Sequence, residues 1–464
     1  MKLKASVSLI SAALLVSSNI VSAEALFSAQ KKTEVINNLA KALADKYVLV
    51  EEGKQFGLEL QELNRSGKYA NAKTKHGFFM QLDQDLIRIS NDKHMHVLPK
   101  EMLGGSGPVV INAPDSKVKV SGEPKKLIKK GAKKLITSGS KSGGSPQKMR
   151  YMPKKHLETD ILEGNIGLLT VNDVLGSEEG IDKAMAKLSS TDGLIIDARS
   201  CPGGNEKTIT QLVSYFMPQG KAILEMHPRG KPMQITKSVQ LPVSAKRYLN
   251  KPLFVLSSNN TGSACEELSF DIKHHDLGYV IGKNTSGAGF ALQNEPEDVG
   301  YGLVALIPNA EPRHPGTKLT FEKVGVAPDI EMNPILALDE AHQMILSQLI
   351  SEKGKTNKLS TALFSSIQKS TKEAIKLADR SKQFRTYLGL YGNEDKIIFA
   401  DGNLSILTGA RKPLGLTQIE NDLFSINKTR GGQIRFERDN KGKITGFSEY
   451  RARNSSWTFN KKKL

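Results

Sequence analysis

Two short stretches of this chain place small, nucleophilic and acidic residues where an apolar strand should give way to a helix. KPLFVLSSNNTGSACEE ends at Glu267 and sets Ser263 between Gly262 and Ala264, while GLIIDARSCPGG ends at Gly204 and closes on two glycines. A serine with small neighbours at a helix start can approach a substrate carbonyl closely. Backbone N–H groups there, Ala264 among them, would face a developing oxyanion, and the helix dipole adds partial positive charge. Gly203 and Gly204 could supply a further donor from the neighbouring loop. Capping alone would also account for Ser263, because serine is an ordinary N-cap and Glu266 three residues on makes a capping box.

A nucleophilic serine needs a base, and three histidine neighbourhoods compete: NDKHMH with His94 and His96, IKHHD with His274 and His275, and PRHP with His314. His274 and His275 fall more than two helical turns beyond Ser263, too far along the same helix to reach it. Spacing alone does not rank His94, His96 and His314. The stretch is not a G-x-S-x-G nucleophile turn, and neither HExxH nor zinc-type Cys or His pairs occur, so no metal is expected.

The elements that must hold these residues can be read from periodicity. From about residue 30 to 90 the pattern is helical, with Phe78, Phe79, Leu82, Leu86 and Ile89 recurring at spacings of three and four, and Pro99 closes what reads as an N-terminal helical bundle over 24–99. Residues 156–330 alternate strand-like runs (GNIGLLTV, GLIIDAR, KPLFVLS, GYVIG) with helix-like ones, which predicts an α/β core, bounded at 156–354, with mainly parallel strands. Ligands gather in such sheets where strands end and helices begin. After a helix through residues 335–350 and a second beyond 355, short β-like runs separated by YGNED, ADGN, TRGG and DNKGK predict a small C-terminal antiparallel β domain within 355–464.

At 464 residues, two or three domains are expected. Residues 1–23 read as a secretory leader: Lys2 and Lys4, an apolar run, then Val21-Ser22-Ala23 as the cleavage site. An exported protein, periplasmic or secreted, is therefore expected. The formal net charge of +18 is concentrated in one segment: residues 115–155 hold 13 Lys or Arg against Asp115 and Glu123. Within the Lys/Gly-rich stretch 100–155 the composition suggests an exposed linker or insertion, with contact to an anionic surface as the second reading.

Five motifs, in order, resemble the tail-specific (C-terminal processing) serine protease family, in the branch of interphotoreceptor retinoid-binding protein and the tricorn core. NDKHMHVLP is similar to the D-G-H motif that ends the family's helical bundle, and GNIGLLTV to its core-opening strand. GLIIDARSCPGG resembles its D-x-R-x-x-x-GG loop, TGSACEE its S-A-x-E nucleophile motif, and TFEKVGVAPDIEMNP its E-G-x-G-V-x-P-D segment. The resemblance implies a crotonase-like fold of ββα units, Ser263 as nucleophile, His94 as general base, Glu322 as the acidic member, and Gly203, Gly204 and Ala264 around the oxyanion. Relatives with a Ser–Lys dyad carry the lysine 25 residues after the serine; Ala288 stands there, and Lys283 lies outside the motif. Lys93 precedes His94 where the tricorn branch has an auxiliary serine, which leaves Ser90 or Asp92 to fill that role.

Cys201 and Cys265 flank the glycine loop and the serine, so a disulfide between adjacent loops is open to them, but the common burial of cysteine favours two free thiols. The leading expectation is an exported serine peptidase acting on peptides or unfolded segments through an acyl-enzyme, without a cofactor. The alternative is an inactive binding protein for apolar ligands or peptides on the same fold.

Overall fold

The computed structural model describes residues 26–103 and 155–460, apart from positions 355, 393–394, 401, 409–412, 428–431 and 452–454. The leader expected at 1–23 and nearly all of the basic stretch at 100–155 lie outside the described residues; Lys100–Met102 form one 3-10 turn.

Three helices open the described chain: α1 (Ala29–Lys46), α2 (Val50–Arg65) and α3 (Lys75–Ser90). Side chains of Ser28 and Thr74 cap α1 and α3 by accepting from the amides of Lys31 and Gly77. The three-and-four spacing buries Phe78, Phe79, Leu82 and Leu86 in one cluster with Val35, Ile36, Leu39 and Leu43 of α1. α1 and α2 touch through backbone: a Cβ on Gly57 would come within 2.9 Å of the Ala40 side chain. β1 (His96–Pro99) follows α3.

The central layer runs β2 (Leu157–Leu162), β3 (Ile166–Val171), α4 (Glu178–Leu188), β4 (Gly193–Asp197), α5 (Glu206–Val213), β5 (Ala222–Pro228), β6 (Gln234–Lys237), β7 (Leu253–Ser257), α6 (Ala264–His274) and β8 (Tyr279–Gly282). Then come β9 (Glu297–Gly300), β10 (Leu303–Leu306), β11 (Ala310–Arg313) and β12 (Ile330–Glu331). One six-stranded sheet has the order β12-β8-β7-β4-β3-β2, parallel throughout except for the β2–β3 pair. The expected α/β core is present. Its strands are apolar on both faces because both are covered: α4, α5 and α6 pack one side, while Ile195, Phe254 and Ile281 meet α7 (Pro334–Lys353) on the other. Each fully buried side chain of this kind contributes about 1.5–3 kcal/mol.

Two smaller sheets, β1-β10-β9 and β11-β5-β6, flank that core. The first joins the N-terminal helices to it, since Val299, Leu303 and Ala305 complete the cluster around α1 and α3. α8 (Asn357–Phe384) leads to eight strands, β13–β20, between residues 389 and 460, in sequential antiparallel order. This is the C-terminal β domain read from the turn signals.

Candidate active site

β4 and β7 are parallel neighbours, with Asp197 level with Leu256, so the loops that follow them leave the same sheet edge. Short hydrogen bonds stitch these loops together. Ser258 Oγ donates to the Arg199 carbonyl at 2.6 Å, Thr261 Oγ1 to the Ala198 carbonyl at 2.9 Å, and the Gly262 amide to the Cys201 carbonyl at 3.0 Å. Ser263 follows at φ 51°, ψ −127°, immediately before α6. A serine there stores about 1–3 kcal/mol of backbone strain, which the surrounding bonds must hold. Its amide donates to Glu266 Oε2 at 2.9 Å. The capping reading is therefore correct for the backbone, yet it leaves the side chain's partner unexplained.

That partner is His94, whose Nε2 stands 2.9 Å from Ser263 Oγ across 169 residues of sequence. The chain brings it there by a tight reversal. Asn91, left-handed at φ 49°, ends α3; Ser90 Oγ accepts the Asp92 amide at 3.1 Å, and Asp92 Oδ1 accepts the His94 amide at 2.9 Å. Buried Met95 and Val97 then anchor the segment, and β1 pairs with β10.

Behind the histidine turn lie two buried carboxyls. Asp92 is fully buried and is raised to about 6, chiefly by loss of solvent. Glu322 is raised to about 7 by burial first and by repulsion from Asp92 second, although Oε2 accepts amides from Gly289 at 2.6 Å and Phe290 at 2.8 Å. Its Oε1 has no hydrogen-bond partner among the described residues. The Tyr47 hydroxyl interacts electrostatically with Asp92, though without a hydrogen bond of full geometry, and burial pushes its ionisation up as well.

The glycine loop closes the other side. A Cβ on Gly203 would come within 2.7 Å of the Ser263 Cβ and 3.3 Å of the Ala264 nitrogen. Gly203 and Gly204 have φ of 119° and 146°, a region that disfavours side chains. The amides of Gly203, Gly204 and Ala264 donate to no acceptor among the described residues. Cys201 and Cys265 are bonded to each other, Cα to Cα 6.1 Å, and both are buried. The expectation of two free thiols is corrected here: the stitched loops bring the two positions within bridging distance.

Residues 165–332 match the model of peptidase family S41, and residues 15–131 match that of the N-terminal domain of peptidase S41 in eukaryotic IRBP. Two segments of the chain are thus similar to peptidase family S41. It is 23% identical over 151 residues to the carboxyl-terminal-processing protease of Synechocystis sp., covering 32% of this chain and 33% of that protein. It is 24% identical over 146 residues to the carboxy-terminal processing protease CtpA of Bacillus subtilis, covering 30% and 29%. The matches thus span about a third of the length of these relatives. The solved photosystem II D1 C-terminal processing protease aligns at a TM-score of 0.43 with 16% identity, over 66% of this chain and 94% of that one.

The other candidates fall away from the serine. His96 Nδ1 pairs with Asp83 at 3.1 Å, and His274, His275 and His314 form a ring cluster at the far end of α6. Lys283 is paired with Glu331 at 2.8 Å, and Ala288 lies in the hollow beside Ser263, at the place of the dyad lysine. Lys93 is exposed.

Sequence reasoning undervalued Glu266. Fully buried, it accepts from Ser263, from Thr285 Oγ1 at 2.6 Å, from Ser286 Oγ at 2.9 Å and from the amides of Gly287 and Ala288. It ties the nucleophile turn to the 285–288 loop. The signal was present in S-A-x-E, but a capping box explained it too easily.

Proposed function

We propose that this chain is an exported serine-type peptidase that cleaves peptides or unfolded protein segments through an acyl-enzyme. The observation that carries the reading is the 2.9 Å approach of His94 Nε2 to Ser263 Oγ on a strained turn. His94 takes the hydroxyl proton as Oγ attacks the substrate carbonyl, then returns a proton to the leaving amine; water, activated by the same imidazole, releases the acyl group. The amides of Gly203 or Gly204 and of Ala264 stabilise the oxyanion. Asp92 positions His94 through its amide, and Asp92 with Glu322 supplies negative charge that favours the imidazolium; Asp92 takes the place of the auxiliary serine that Lys93 displaces.

Export is supported by the leader-like residues 1–23 and by a disulfide, which persists in oxidising compartments. Among the described residues no helix is long and apolar enough to cross a membrane. The basic segment 115–155 is read first as an exposed linker; the second reading, contact with anionic surfaces, is tested by deleting it and measuring salt-dependent binding to anionic vesicles.

The test of the central reading is hydrolysis of an unstructured protein by wild type, Ser263→Ala and His94→Ala. Both variants fold and lose hydrolysis; full activity in Ser263→Ala contradicts the proposal. The second reading, a binding protein for apolar ligands, draws on the match of residues 15–131 to the N-terminal domain model. Against it, the hollow beside Ser263 is small and carries carboxylates.

A further inference from the structure

The hollow that opens beside Ser263 and His94 carries acidic residues in its lining. Glu206, the first residue of α5, and Glu267, one turn into α6, both line it, and Asp271 sits one turn beyond Glu267. Glu267 is 6% exposed and Asp271 fully buried. Glu267 Oε1 and both carboxylate oxygens of Asp271 lack any hydrogen-bond partner among the described residues. No Lys, Arg or His forms an ion pair with any of the three among those residues. Unpaired buried carboxyls of this kind cost several kcal/mol if ionised and are ordinarily paired. Among the described residues nothing supplies the partner, and the hollow supplies the route to one.

The rest of the lining has a different character. Met226, Phe290, Ala291, Leu292, Pro312 and Phe321 line the same hollow with apolar surface. An occupant must therefore be an aliphatic stem with a positive tip. The cavity holds about 60 Å³, and at roughly 10–15 Å³ per water that is room for about four to six water-sized groups. The five heavy atoms of a lysine side chain fit that room, whereas arginine has seven.

We propose that this hollow is a specificity pocket for a cationic side chain, lysine before arginine, on the residue whose carbonyl Ser263 attacks, with Glu267 as the main recognising carboxylate and Glu206 and Asp271 behind it. The proposal rests on the peptidase reading and names its substrate class. A cleft of about 600 Å³ adjoins the pocket, shares Glu206, Met226 and Gln293 with it, and is walled by Gln234 and Thr236 of β6. It gives the rest of a peptide a place to lie. Burial raises all three carboxyls, and repulsion from neighbouring carboxyls adds to it at Glu267 and Asp271, so an incoming ammonium group supplies the charge that the site lacks.

The experiment uses the full mature chain and fluorogenic peptides identical except for lysine, arginine, norleucine or glutamate at the cleaved residue. Norleucine keeps the stem of lysine and removes the charge. An uncharged fluorophosphonate reports in parallel whether Ser263 reacts at all. The expected result is a kcat/KM for lysine about tenfold or more above norleucine, with arginine between them and glutamate lowest. In Glu267→Gln the lysine-to-norleucine ratio falls to near one, and Asp271→Asn, should the first variant not fold, lowers it in the same direction. Labelling of Ser263 with equal rates for lysine and norleucine overturns the pocket and leaves the peptidase reading standing. Absence of labelling overturns the peptidase reading and the pocket with it.

Discussion

Gly203 stands so close to Ser263 that a methyl group on its Cα would come within 2.7 Å of the serine's Cβ, and within 2.9 Å of the Gly262 carbonyl oxygen. The glycine is required twice, by this approach and by its φ of 119°. Gly203→Ala is expected to lower kcat by about 10²–10³, the usual loss when an oxyanion donor is displaced, while KM changes little. Steady-state kinetics on the variant check it, and unchanged kcat removes Gly203 from the oxyanion site.

The Cys201–Cys265 bond joins the glycine loop to the residue two beyond the nucleophile and closes a 64-residue separation. Chain-entropy reasoning gives about 4 kcal/mol for such a loop. Replacing both cysteines by alanine should lower the denaturation midpoint substantially and reduce activity, and thiol reduction of wild type should mimic it. Reduction that leaves both rate and midpoint untouched speaks against a bond at this place.

Asp92 and Glu322 give a pH dependence with a definite sign. Their folded values, about 6 and about 7, stand above the ordinary 3.8 and 4.5, so the folded state binds more protons than the unfolded one. The stability they contribute is complete below the unfolded values and is lost as pH climbs through about 6 to 7. Activity runs the other way, since the anionic pair favours the imidazolium. Asp92→Asn should match wild type in stability near pH 4, exceed it increasingly toward pH 8, and show a lower rate throughout. Thermal midpoints and rates across that range are the measurement; a constant stability difference rejects the assignment.

Glu266 holds five donors from two loops. Glu266→Ala leaves those donors unsatisfied in the interior, a loss of several kcal/mol by the cost of unmade hydrogen bonds. Glu266→Gln keeps the volume but must offer donors where only acceptors fit. Both variants should lose Ser263 labelling, the glutamine form while still folded by circular dichroism, which separates positioning from stability.

The sequence made some of this visible and hid the rest for physical reasons. Strand and helix periods gave the α/β order, and small residues around Ser263 marked the turn, because local sterics write themselves into composition. The helical stripe ending at Ile89 likewise marked the end of the helical bundle, whereas the reversal at Asn91 that carries His94 was visible only in the structure. What spacing did not choose was the histidine: His94, His96 and His314 were equivalent until 169 residues of intervening fold placed one of them, and the resemblance of NDKHMHVLP to a known motif did that work in advance. The disulfide went the other way. Its pairing depends on how two loops are stitched by Ser258, Thr261 and Gly262, bonds with no one-dimensional signature. The acidic lining of the pocket was equally hidden, because Glu206 lies 61 positions before Glu267 and only the packing of α5 on α6 joins them.

The central claim is that His94 activates Ser263, and the rate of covalent modification of Ser263 by a fluorophosphonate, read by mass spectrometry of the intact chain and of its peptides, tests it most directly. The account predicts a single adduct at Ser263 in wild type, none in Ser263→Ala, and a rate lowered about a hundredfold or more in His94→Ala, as expected when a general base is removed. Equal labelling of wild type and His94→Ala, or an adduct at any residue other than Ser263, would contradict it.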